Sequence, residues 1–73
     1  MWTYRSADGL WTIAESAGLY ALMFNGEVLT LKRRPEELLS AVRTQTTNLP
    51  RCGLNPAQVG LPMQLRDWQR EEG

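Results

Sequence analysis

Few residues of this chain combine the type and the spacing that chemistry needs. Lys32, Arg33 and Arg34 form a run of three cations directly ahead of Pro35-Glu36-Glu37. At a helix start such a run could meet phosphate groups together with the free amides of the first turn. Glu36 and Glu37 oppose it at the same end, so a solvated loop is the competing reading. With no histidine, the commonest general base is missing. Cys52 has Arg51 beside it but no base to form a nucleophilic pair, and Ser16 and Ser40 have none either. The carboxylates Asp8, Glu15, Glu27, Glu36, Glu37 and Asp67 show no spacing that brings two to one cleft. A zinc site would need four ligands from carboxylate, thiolate or water, and no spacing suggests one. The glycines fall at turns and ends and make no phosphate loop. The expectation is a protein that is no enzyme and carries no cofactor or metal.

The aromatic residues offer a second chemistry. Trp2, Tyr4, Trp11, Tyr20 and Phe24 could stack the bases of a single strand if they lay on an open sheet. A small sheet with one helix must bury one face, however, and the most aromatic face is the natural core.

These readings depend on the elements that carry the residues. The organising stretch is Leu19 to Lys32, in which two β-prone runs flank Asn25-Gly26, a pair that accepts the positive φ of a type I′ hairpin turn. Trp2 to Arg5 and Leu10 to Glu15 read as two further strands, joined through Ser6-Ala7-Asp8-Gly9 and followed by a turn at Ala17-Gly18. Two-residue turns at Asp8-Gly9, Ala17-Gly18 and Asn25-Gly26 set Tyr4 opposite Ile13, Ile13 opposite Leu22, Leu22 opposite Leu29 and Tyr20 opposite Leu31. Side chains alternate along a strand and opposed residues share a face. One face then collects Trp2, Tyr4, Trp11, Ile13, Tyr20, Leu22, Phe24, Leu29 and Leu31. The other holds Thr3, Arg5, Leu10, Thr12, Ala14, Leu19, Ala21, Met23, Val28, Thr30 and Lys32.

After Arg34 the apolar period changes. Pro35 with Glu36 and Glu37 fits a helix start, Leu38, Leu39 and Val42 recur at helical spacing, and Thr44 to Pro50 ends the helix near residue 45. Asn55-Pro56 could cap a single turn ending at Gly60. Leu61, Leu65 and Trp68 lie at i, i+4 and i+7 of a short amphipathic helix starting near Pro62, its other side charged by Gln64, Arg66, Asp67, Gln69, Arg70, Glu71 and Glu72.

The predicted architecture is α+β. An antiparallel meander of four strands, three at least, occupies residues 1–33, a helix over 35–45 packs on one face, and a C-terminal segment over 49–73 docks on the sheet or on a partner. At 73 residues the chain has room for one domain with one modest core. A meander closed by Asn25-Gly26-Glu27 and followed by Pro35-Glu36-Glu37-Leu38-Leu39 resembles, in outline, many small bacterial and phage proteins. That resemblance touches about half the chain and implies no activity.

What the composition says about partners is limited. Eight basic and eight acidic residues balance, so no long-range attraction to nucleic acid or an anionic membrane is built into the whole chain. No apolar run approaches the roughly 20 residues of a membrane span, Met1 to Gly9 does not read as a leader, and a lone cysteine forms no internal disulfide. A soluble, cytoplasmic protein is expected. The second sheet face is too apolar to stand in water, which predicts a protein interaction, foremost a homodimer, through Leu10, Leu19, Met23 and Val28 with Leu61, Leu65 and Trp68. The alternative is a nucleic-acid accessory role for Arg5 with Lys32, Arg33 and Arg34, distinguished by a steep response to salt.

Overall fold

A computed structural model describes residues 1–71. Four strands run in sequence as a meander, β1 (Trp2–Ser6), β2 (Gly9–Ser16), β3 (Leu19–Phe24) and β4 (Glu27–Lys32), followed by α1 (Pro35–Arg43). Near the C-terminus a fifth strand, β5 (Gln69–Arg70), pairs antiparallel with β1, giving the order β4-β3-β2-β1-β5. The fold is α+β, as the residue pattern predicts, with one strand more.

The β2–β3 register is the expected one, with Trp11 opposite Phe24, Ile13 opposite Leu22 and Glu15 opposite Tyr20. The turn between them places Ala17 at φ 54° and Gly18 at φ 79°. Asn25 at φ 49° and Gly26 at φ 86° make the type I′ connection between β3 and β4. The first hairpin turns one residue earlier than the sequence suggests. Ala7 and Asp8 are its central residues, so Tyr4 faces Trp11 rather than Ile13. The correction moves the pairing by two residues, so each side chain keeps its face. The Ser6 hydroxyl holds the tighter turn: it accepts hydrogen bonds from the Asp8 N–H at 3.2 Å and the Trp11 Nε1–H at 3.0 Å.

The β3–β4 pair departs further. Phe24 opposes Glu27 and Met23 opposes Val28, but Leu22 opposes Thr30, so Leu29 is an extra residue in a bulge. Leu29 still points into the core and is buried. Beyond it the alternation is reversed: Leu31 pairs with Ala21 and Lys32 with Tyr20. Leu31, expected in the core, therefore stands on the opposite face at 54% exposure. Thr30 and Lys32 move to the helix side. The Leu29 carbonyl accepts the Asn48 N–H at 3.2 Å, tying the bulge to the segment that follows α1.

Helix α1 begins without a side-chain cap at Arg34, and Pro35 with Glu36 and Glu37 supplies the first turn. It ends two residues before the expected limit. Gln45 takes a left-handed φ of 58°, its N–H meets the Val42 carbonyl, and the Thr46 N–H reaches back to the Ala41 carbonyl. These two bonds satisfy the last turn's free carbonyls, an arrangement in which glycine is usual at the left-handed position. The buried face of α1, Leu38, Leu39, Ala41 and Val42, lies on Trp11, Ile13, Leu22, Phe24 and Leu29 of the sheet. Burial of such side chains contributes ~1.5–3 kcal/mol each and is the main source of stability.

The C-terminal segment closes the same core. Asn55 caps a 3-10 turn, Pro56–Gln58, through a 2.9 Å bond from the Ala57 N–H. The expected amphipathic helix after Pro62 is instead a 3-10 turn, Leu65–Asp67, leading into β5. Leu61 and Trp68 are buried, and Leu54, Val59 and Leu65 pack against the cluster. The Trp68 ring sits 5.8 Å from Tyr4, centroid to centroid, and its Nε1–H donates to the Pro62 carbonyl at 2.9 Å. Pairing with β1 requires an extended backbone at Gln69 and Arg70, which a helix through Trp68 could not provide. Glu72, expected on the charged side of that helix, lies outside the described residues.

Candidate functional site

Among the described residues, helix α1 and most of the C-terminal segment pack on the aromatic face, which leaves the other face of β2, β3 and β4 open; at β1 that face is closed over Thr3, whose hydroxyl lies against the Gln69 carbonyl and the Glu71 carboxylate. Alternation along β2, β3 and β4 places Leu10, Thr12, Ala14, Leu19, Ala21, Met23, Val28 and Leu31 there. Val28 and Leu31 are each more than half exposed, and Leu19 is 38% exposed. Across these three strands the face carries no ionisable side chain. Charge begins at its β1 border, where Arg5 stands beside Leu10. There Thr3, Tyr4, Arg5, Leu10, Asp67, Gln69 and Glu71 line a depression of about 260 Å³. The face is therefore a neutral apolar field with a polar border along one side, the composition of an interface core and rim.

The structure divides the expected interface residues into two groups. Leu10, Leu19, Met23 and Val28 share the open face, and the bulge adds Leu31 to them. Leu61 and Trp68 are inside the chain's own core, with Leu65 packed against it, on the far side of the sheet. No residue type marks a bulge at Leu29, so no signal in the sequence assigns Leu31 to this face.

The basic residues are also divided. Arg5 lies on the open face at the end of the sheet that carries the Asn25-Gly26 turn. Lys32, paired with Tyr20, lies at the opposite end on the helix side, beside Glu37. Three strand spacings, ~14 Å, separate β1 from β4. Arg33 and Arg34 are exposed in the bend between β4 and α1. Unbroken alternation predicts Arg5 and Lys32 on one face; the bulge reverses that for Lys32, and the four cations form no single patch.

The aromatic side chains are core or core border. Trp11 packs against Phe24 at 4.5 Å between centroids with the rings tilted by 42°, and Trp2 approaches Tyr20 at 6.2 Å, with the Arg70 guanidinium 5.9 Å from the Trp2 ring. Hydrogen bonding to Glu15, its partner across the strands, and then desolvation raise the Tyr20 phenol above its ordinary value of 10.0. Two further depressions, of about 230 and 220 Å³, flank α1. All three fall short of the ~300–1,000 Å³ of small-molecule sites. Among the described residues, no group of three or more carboxylate or thiol side chains is placed to hold a metal ion, and no helix is long and apolar enough to cross a membrane. Cys52 is an exposed free thiol.

No family model matches the chain, and no curated protein or solved structure matches it significantly.

Proposed function

We propose that this protein is a small non-catalytic interaction module that works through the open face of its sheet, with a second copy of itself as the occupant. The observation that carries the reading is the uncovered, uncharged field formed by Leu10, Leu19, Met23, Val28 and Leu31. An apolar patch of this kind on a small chain often marks a binding surface. Closed two-fold pairing is the commonest way for a small chain to cover one.

Sedimentation of the parent protein over a range of concentrations tests the reading, with Met23→Asp in parallel. The parent is expected to shift from monomer to dimer as concentration rises. Met23→Asp is expected to remain a folded monomer with a melting temperature close to the parent's, because Met23 lies outside the aromatic core. A parent that stays monomeric at every concentration overturns the proposal. Because the interface is apolar, added salt should leave the association unchanged or strengthen it, whereas contacts to phosphate would weaken steeply.

A further inference from the structure

The open face has a relief that specifies how two copies fit. Its side chains form rows running across the strands. One row is Thr12, Met23 and Val28; the next, two residues further along, is Ala14, Ala21 and Leu31. The first carries a long side chain at its centre where the second carries alanine. We propose that two copies stack face to face about a two-fold axis that lies between the sheets, perpendicular to the strands and midway between these rows. The inference rests on the self-association proposed above and adds its register. Such an axis sets each row on the other row of the second copy: Met23 over Ala21, Thr12 over Ala14 and Val28 over Leu31, each contact made twice.

Three observations favour this register. Large meets small at the centre, so the two sheets approach closely without a clash. Leu31, half exposed in the single chain, gains an apolar neighbour in Val28. Arg5 lies a row beyond Thr12 on the border strand, beyond the end of the second copy's β1, so it stays at the rim in water. A register centred on the Met23 row would instead press the two Met23 side chains together and leave the two alanine rows apart. The area sets the strength. The three apolar strands at ~4.8 Å spacing and six residues at ~3.4 Å rise give a face of ~290 Å² in plan, or ~590 Å² for two copies before surface relief is counted. Stable interfaces bury ~1,200–2,000 Å², so this pairing is weak and concentration-dependent.

Exchanging the two residues tests the register. In Met23→Ala the central contact is lost, and in Ala21→Met two long side chains compete for one space. Each single variant is expected to weaken dimerisation roughly tenfold or more by sedimentation, equivalent to ~1.4 kcal/mol. The double variant Ala21→Met with Met23→Ala restores the large-on-small contact with the roles reversed, and is expected to return to within about threefold of the parent. Thr12→Ala with Ala14→Thr repeats the exchange at a second contact, and melting curves at low concentration establish that each variant is folded. A double variant as weak as the product of its singles, in a parent that dimerises, overturns the register and leaves self-association standing. A parent monomeric at all concentrations overturns both.

Discussion

Asn25 and Gly26 are the residues on which most of one end of the molecule rests. Both take positive φ, at 49° and 86°. Asn25 also reaches across the sheet: its Oδ1 accepts the Leu10 N–H at 2.9 Å while its own N–H donates to the Leu10 carbonyl at 2.8 Å. The side chain lies so close to Gly9 that a Cβ there would stand 2.6 Å from its Oδ1 and Nδ2, so glycine at 9 makes the bridge possible. The turn and the next strand are thus one hydrogen-bonded unit. Gly26→Val is expected to cost ~1–3 kcal/mol, since a β-branched residue is strained at that φ. Gly26→Asn should cost well under half as much, because asparagine tolerates the left-handed region. Chemical denaturation of the two variants measures the difference, and equal costs would mean that residue 26 does not need this conformation.

At the scale of elements, the bulge in β4 decides which of two leucines supports the fold. Leu29 is 1% exposed and Leu31 54% exposed, although they are two residues apart on one strand. Leu29→Ala should cost ~2–5 kcal/mol, enough to unfold a domain of this size or nearly so. Leu31→Lys should change monomer stability by no more than ~0.5 kcal/mol. Denaturation midpoints at low protein concentration check both. An uninterrupted β3–β4 pairing predicts instead that Leu31→Lys is as damaging as Leu29→Ala. Helix α1 is better marked in the sequence than the bulge, because its proline, paired acids and the i, i+1, i+4 positions of Leu38, Leu39 and Val42 act within ten residues.

At the scale of the whole molecule, the sheet is built as two different surfaces. One is sealed by α1 and by residues 54–68, and the other is open over β2, β3 and β4. Truncation after Asn48 removes Leu61 and Trp68 from the core and β5 from the edge of β1. The truncated chain is expected to be unfolded or molten by circular dichroism and dye binding, since losing either side chain from a core costs ~2–5 kcal/mol. A truncated chain as stable as the parent would show that the C-terminal segment contributes nothing to the core. The contrast with Met23→Asp, which should alter assembly and leave the fold intact, separates the two surfaces experimentally.

The sequence by itself determined the parts of this protein that act over a few residues. Type I′ turn chemistry at Asn25-Gly26, the two-residue turn at Ala17-Gly18, strand alternation from Trp2 to Phe24 and the Pro-Glu-Glu helix start all appear in place, because each is enforced by local backbone and burial preferences. The candidate surface was legible to the same extent: Leu10, Leu19, Met23 and Val28 follow from alternation alone. Tertiary structure decided the rest. A bulge shifts alternation by one residue and leaves no mark in residue type, so Leu31 and Lys32 exchanged faces unannounced. The helical spacing of Leu61, Leu65 and Trp68 spans only two turns, too short to hold a helix against strand pairing, so packing against the core and β1 chose between them. That packing drew Leu61 and Trp68 to the aromatic face, and so left the opposite face of β2, β3 and β4 without a cover.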